Sequence, residues 1–344
     1  MSRLIDRLKP LLKAFEQPGS CFVLGAGASW PLVPVGSQLA DKVRERGLLM
    51  PSYPTYRMDR DILGTRMLGS TAESAPVWDD HRWYAEDLLW HVSPGAVRAI
   101  VTAYLCPAAH QRIPPQYDVF NLAKHSLGLI NFNNDGLASK YCRRHRVINV
   151  HGTGFTAEDK SRIDMEWWIN IHQEYPGLSF IGVPGLHLPL PEVPELARLP
   201  AYGAVDDVLN RSDHITIVGY SFGRGDDSVA YDKILRALQK SGVSAVVLSP
   251  EARDLVEQMM DQSKNDAMIA LPLRWDVLAA AIMASSARAR SKTCSHSTGF
   301  CPSCVLYLYD VFLDSALQWE ELAERYELTE FVNSQVELDQ HTQR

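Results

Sequence analysis

The strongest constraint on this chain is a recurring unit, a short apolar run that stops abruptly in small or polar residues. It is found at residues 21–24, 127–132, 145–150, 214–219 and 243–248. These runs are brief and apolar at their centres, the pattern of strands covered on both faces. A stretch with helical spacing, residues 228–240, separates the last two. Strands alternating with helices predict an α/β fold, a Rossmann-like parallel sheet with helices on both faces. Residues 51–109 break the alternation: they are irregular, rich in Pro, and carry Trp78, Trp83 and Trp90. They predict a largely helical insertion at about 51–120. The expected organisation is an N-terminal helix over 1–20 and the sheet domain, with its insertion, over 21–285. A Cys-containing loop and a helical C-terminal region complete it over 286–344.

Ligands of an open parallel sheet bind beyond the carboxyl ends of its strands, so the residues that end the runs are the candidate site. The first run enters Gly25-Ala26-Gly27-Ala28-Ser29 directly. Glycines there let backbone N–H groups approach a pyrophosphate, although the same turn also serves as a tight strand-to-helix connection, and Trp30 stands where the dinucleotide fingerprint wants a small residue. A helix is expected to begin near Ser37. The second run ends in Asn131-Phe132-Asn133-Asn134-Asp135, amides suited to a ribose hydroxyl or a water and equally suited to a polar turn. The third ends in His151-Gly152, a candidate general base among 11 histidines. The fourth ends in Gly219-Tyr220-Ser221-Phe222, followed by Asp226 and Asp227, which also read as a helix entry.

Composition narrows the class. With 46% hydrophobic and 22% charged residues the chain reads as a globular protein, and a net charge of −7 argues against direct nucleic-acid binding. No apolar run approaches the ~18 residues of a membrane span. Residues 1–19 place Leu4, Leu8, Leu11, Leu12 and Phe15 at helical spacing with Asp6 and Glu16 among them, unlike a signal or transit peptide. The expectation is an amphipathic helix docked on the domain or offered to a partner, in a cytoplasmic protein. Six cysteines are too few and too scattered for a disulfide framework. Cys294, His296, Cys301 and Cys304 could form a structural zinc site, or belong to a thiol-bearing loop after the basic run 288–292.

The ordered set GAGAS, NFNND, VHG and VGYSF resembles the sirtuin superfamily over about residues 21–250. The VGYSF form is similar to the divergent sirtuin-like NADase group, many of whose members act in bacterial anti-phage defence by depleting NAD. The resemblance implies that Gly25, Ala26, Gly27 and Ser29 line the dinucleotide phosphates. It implies that Asn133 aligns the nicotinamide ribose or a water, that Asp135 faces the carboxamide, and that His151 is the catalytic histidine. Gly219 and Ser221 would lie near the phosphate and adenosine ribose, and Ser249 near that ribose. Three departures point away from protein deacylation. The glycine turn continues as Trp30-Pro31-Leu32-Val33-Pro34-Val35-Gly36, no cysteine lies between Cys142 and Cys294 to form a zinc module, and only residues 184–188 offer a loose acyl-lysine-binding strand. The resemblance therefore implies an NAD+ hydrolase, with NAD+ as substrate and no catalytic metal. Regulation by homo-oligomerisation, a HerA-type ATPase, a short Argonaute or a phage trigger would accompany it. The alternatives are an NAD-dependent deacylase or ADP-ribosyltransferase, and a non-catalytic NAD or ADP-ribose sensor.

Overall fold

A computed structural model of the chain describes residues 2–33, 56–58, 67–69, 113–133, 135–150, 200–220, 228–290 and 300–314. Its centre is a six-stranded sheet in which every pairing is parallel. The strands are β1 (Ser20–Leu24), β4 (Gly128–Asn131), β5 (Val147–Asn149), β6 (His214–Val218), β7 (Ser244–Leu248) and β8 (Met268–Leu271), in the spatial order β5-β4-β1-β6-β7-β8. Two further strands, β2 (Tyr56–Met58) and β3 (Met67–Gly69), pair antiparallel with each other. Of the region expected to be a helical insertion, these two strands and the turns at its end are described. The helix expected from Ser37 lies outside the described residues.

Strand faces alternate as the pleat requires. Phe22, Leu24, Leu129, Val246 and Leu248 join one buried cluster, while Cys21, Val23, Ile130, Ala245 and Val247 join the other. The helices divide accordingly. Alpha-helices α1 (Ser2–Ala14), α3 (Pro115–Asp118) with the 3-10 turn Val119–Leu122, α4 (Leu137–Tyr141), α8 (Trp275–Arg290) and α9 (Pro302–Asp314) supply the first cluster. The second is supplied by α5 (Pro200–Arg211), α6 (Ser228–Leu238) and α7 (Ala252–Ser263). The chain moves outward from β1 to β4 and β5, and the described helices α3 and α4 between these strands lie on one face. It then returns beside β1 and moves out to β6, β7 and β8, with the described helices α5, α6 and α7 on the other face. That is the doubly wound arrangement with strand order 3-2-1-4-5-6, whose ligand crevice opens where the order reverses, between β1 and β6.

The N-terminal helix is docked. Leu8 and Leu11 are fully buried and Phe15 nearly so, with the Phe15 ring 5.1 Å from Phe22 on the central strand. Phe22 in turn lies 5.1 Å from Phe120, and Phe120 5.4 Å from Trp275 of α8. This aromatic row ties three elements distant in sequence to β1, each contact adding to plain burial. Leu11→Ala should lower the denaturant midpoint by the equivalent of ~2–5 kcal/mol, the range for a buried leucine whose cavity closes only partly. An unchanged midpoint would mean that α1 is not part of the core.

Several boundaries depart from expectation. The basic run at 288–292 was expected to be a loop, yet α8 continues through Arg290. The tail, expected to be helical from about residue 305, holds α9 to Asp314, and residues 315–344 lie outside the described residues. Among the described residues, no helix is long and apolar enough to cross a membrane.

Candidate active site

At the carboxyl edge, the end of β6 closes on the turn that follows β1. The Gly25 N–H donates to Val218 O at 2.9 Å, and the Gly27 N–H to Gly219 O at 2.8 Å. A Cβ on Gly27 would lie 2.8 Å from Gly219 Cα, and one on Gly219 2.4 Å from Gly27 C. The two glycines therefore permit backbone to meet backbone across the switch point, and Gly219 holds φ +59 there. Two N–H groups of the glycine turn are thus already taken by β6. Ala26, at the start of the short helix α2 (Ala26–Ser29), is exposed.

The α3 side of this floor is polar and buried. Ser29 is 2% exposed, Asn133 7% and Asp135 3%. Asn133 Nδ2 donates both its hydrogens, to Gly25 O at 2.8 Å and to Ser29 Oγ at 2.9 Å. Because the Gly25 carbonyl can only accept, the amide nitrogen must face it, and Oδ1 becomes the remaining polar atom. The Asn133 side chain also acts on the neighbouring Tyr117 phenol. Ser29 Oγ also bonds Asp135 Oδ2, and lies 2.5 Å from Tyr117 Oη. The other Asp135 oxygen accepts from Leu137 N–H at 2.9 Å as α4 begins. Burial pushes the Asp135 carboxyl up to about 6, against the opposing hydrogen bonds from Ser29 and the Leu137 amide. Burial likewise pushes the Tyr117 phenol well above its ordinary value, with the Asp135 charge adding to it.

Behind Asn133 stands a second pair of amides. Asn131, fully buried, donates to Asn133 O at 3.0 Å and to Asn149 Oδ1 at 2.9 Å, and accepts from Asn133 N–H at 3.2 Å. Asn149 donates onward to Ser139 Oγ at 2.8 Å. Asn131 and Asn149 are register partners at the last positions of β4 and β5. They lock the loop that carries Asn133 to the edge of the sheet.

The opposite wall is aromatic. Phe132 and Tyr220 stack with centroids 4.5 Å apart and planes at 19°, packed with the cluster that holds α5, α6 and α7. They reach across the end of β1, and a Cβ on Gly25 would meet the Tyr220 Cβ at 2.4 Å. The sheet's carboxyl edge thus carries a glycine turn with amide and carboxyl groups on one side and the stacked aromatic pair on the other.

The structure brings Gly25, Ala26, Gly27, Ser29, Asn133, Asp135 and Gly219 together at this point. Ser249 is half-buried just beyond β7, its carbonyl accepting from Ala252 N–H at 3.1 Å. His151 and Ser221 lie outside the described residues, each immediately after a described strand end. So do Cys294 and His296. Cys301 is buried and Cys304 half-buried on the first turns around α9, and among the described residues no group of three or more His, Cys, Asp or Glu could hold a metal. Sequence reasoning missed Tyr117 and Asn149 as members of the site, and quoted Asn131 in its motif without giving it a role. An asparagine closing an apolar strand was a usable signal for the last two. Tyr117 offered none, being 88 residues from the hydroxyl it touches.

No family model matches the chain, and no curated protein matches it. Among solved structures, it is similar to a chain from work on the structural basis for the mechanism and regulation of Sir2 enzymes. The two share 12% identity with a TM-score of 0.39, over 90% of this chain and 98% of that one.

Proposed function

We propose that this protein is a sirtuin-like NAD+ hydrolase that converts NAD+ and water to ADP-ribose and nicotinamide. The observation that carries the reading is the fixed amide of Asn133. Both its hydrogens are committed to Gly25 O and Ser29 Oγ, leaving one carbonyl oxygen as an acceptor at the switch-point edge of the sheet. Such an acceptor suits a ribose hydroxyl or an attacking water. The chemistry asks little more. Nicotinamide leaves as a neutral base from a cationic ring, so the bond from C1′ to the pyridinium nitrogen breaks with its electron pair going to nitrogen. Water then bonds to C1′ and gives up a proton, for which His151 would be the acceptor. The protein supplies position and exclusion of water.

The substrate's pyrophosphate would lie over the glycine floor, with the exposed Ala26 N–H turned to it, and Ser221 and Ser249 would serve the adenosine end. A freely active NAD+ hydrolase would drain its own cell. We therefore infer that activity waits on self-assembly or on a protein partner, in keeping with a defence effector.

Nicotinamide release from NAD+ by purified protein tests this at several protein concentrations. Asn133→Ala and His151→Ala should each lower kcat by ~100-fold or more, the scale for losing a positioned polar group or base. A steep rise of specific activity with concentration would support assembly. Release that survives both substitutions would sink the assignment of these residues. ADP-ribose appearing on protein, or O-acyl-ADP-ribose formed with an acylated peptide, would replace hydrolysis by transfer.

A further inference from the structure

Tyr117 belongs to no motif, yet it completes the hydrogen bonding of Ser29. It sits on α3, fully buried, with Oη 2.5 Å from Ser29 Oγ. A serine hydroxyl has one proton and two lone pairs. Asn133 Nδ2 can only donate to it, and an ionised Asp135 can only accept from it. The remaining lone pair must then receive the Tyr117 proton, and the hydroxyl is saturated. We propose that Tyr117 is a positioning residue of the hydrolase site, its O–H fixing the direction of the hydrogen-bond chain from Tyr117 through Ser29 to Asp135. The proposal rests on the hydrolase reading for its effect on turnover, but not for the hydrogen-bond chain itself.

The direction matters because the chain can run the other way. If Asp135 takes up a proton and donates it to Ser29, Ser29 must donate to Tyr117. The Tyr117 proton then loses its acceptor at Ser29, with only the Asn133 side chain beside it in a fully buried place, which is unfavourable. Tyr117 thereby favours the carboxylate form of Asp135. The groups facing this pair are few. Ser29 approaches from α2, Asn133 from the end of β4, and the Leu137 N–H from α4. Cys142, its thiol pushed up by burial, adds to the field at Tyr117. Asp118 acts on Cys142, and Arg144 on Asp118. Among the described residues, no cation offsets the burial of Asp135.

The test is Tyr117→Phe, which keeps the ring and removes the donor. Protein labelled with 13C at aspartate carboxyls gives the Asp135 titration midpoint by NMR, and nicotinamide release gives the pH profile. In Tyr117→Phe the midpoint should rise by about one pH unit, equivalent to a tenfold change in proton affinity. The acidic limb of kcat should move with it, so that kcat near pH 6 falls about fivefold while KM for NAD+ stays within about twofold. A midpoint unchanged in Tyr117→Phe overturns the proposal. Should the phenylalanine variant fail to fold, 3-fluorotyrosine at position 117, a stronger donor, should lower the midpoint, and a midpoint that stays or rises overturns it. Nicotinamide release bears on the hydrolase reading alone, whereas the titration decides the role of Tyr117 whether or not the wild type turns over NAD+.

Discussion

Gly219→Ala is expected to disrupt the sheet's carboxyl edge, lowering stability by ~2–5 kcal/mol. Two costs add. An alanine at φ +59 gives up ~1–2 kcal/mol that glycine does not. Its methyl would also meet Gly27 C at 2.4 Å, and that neighbour is backbone, so relief requires the turn after β1 to move. Forced overpacking of this kind costs ~1–3 kcal/mol, and the movement stretches the 2.8 Å hydrogen bond from Gly27 N–H to Gly219 O. Against a total stability on the order of 5–15 kcal/mol, the loss is a large share. Gly203→Ala is the informative comparison. Gly203 is exposed within α5, and a Cβ there meets nothing within 4 Å. The same substitution should stabilise by ~0.5–1 kcal/mol through helix propensity. Urea unfolding of the two variants beside the wild type decides the matter. If Gly219→Ala unfolds with the wild-type midpoint, β6 does not close on the turn after β1.

That contact also shows how far the sequence could be read. The runs at 21–24, 214–219 and 243–248 correspond to β1, β6 and β7 within a residue at each end, because strands buried on both faces are apolar throughout and bounded by sharp polarity changes. The glycines after β1 were legible as a turn. Their partner was not, since Gly27 meets Gly219 only when the strand order is known. β8 (Met268–Leu271) went unread: a short apolar run between Ala267 and Pro272 carries no period that separates strand from helix. α8 was also missed, and its composition explains why. Much of it is alanine and small residues, and residues 277–284 are buried without interruption, so no polar stripe marks a helical period.

The candidate site divides in the same way. Asn133 and Asp135 stand out locally because they end a strand. Tyr117 was invisible because it reaches Ser29 from the far end of a long insertion. Motifs mark the residues that a strand end presents, whereas the residues that orient them come from wherever the fold places a side chain.

Asp135 is where the needs of the site and of the fold diverge, and Asp135→Asn should expose the divergence. The carboxyl is fully buried and its folded value is pushed from 3.8 to about 6. Because the folded value is the higher one, the native state binds more protons than the unfolded chain between pH ~4 and 6, so stability falls as pH rises through that window. Below it the group is neutral in both states and contributes no difference. Above it the full penalty applies, and at 1.36 kcal/mol per pH unit a rise of about two units amounts to ~3 kcal/mol. Asparagine cannot ionise, and its carbonyl can still accept from the Leu137 N–H. The stability of Asp135→Asn relative to wild type should therefore increase by ~2–3 kcal/mol between pH 4 and 7. Nicotinamide release should nonetheless fall by ~100-fold, the scale for losing a charged group that acts in the transition state. Urea midpoints across pH 4–8, measured beside release at pH 7.5, check both halves. A difference profile that is flat with pH would mean that Asp135 is not buried as a carboxylate, and full activity with the expected stability gain would mean that its charge serves the fold's history rather than the reaction. A buried, uncompensated carboxylate that the fold would be more stable without is best explained by the chemistry beside it. Its Ser29 partner links it directly to the Asn133 amide, and a neutral residue in its place would leave the Ser29 proton free to turn toward Tyr117.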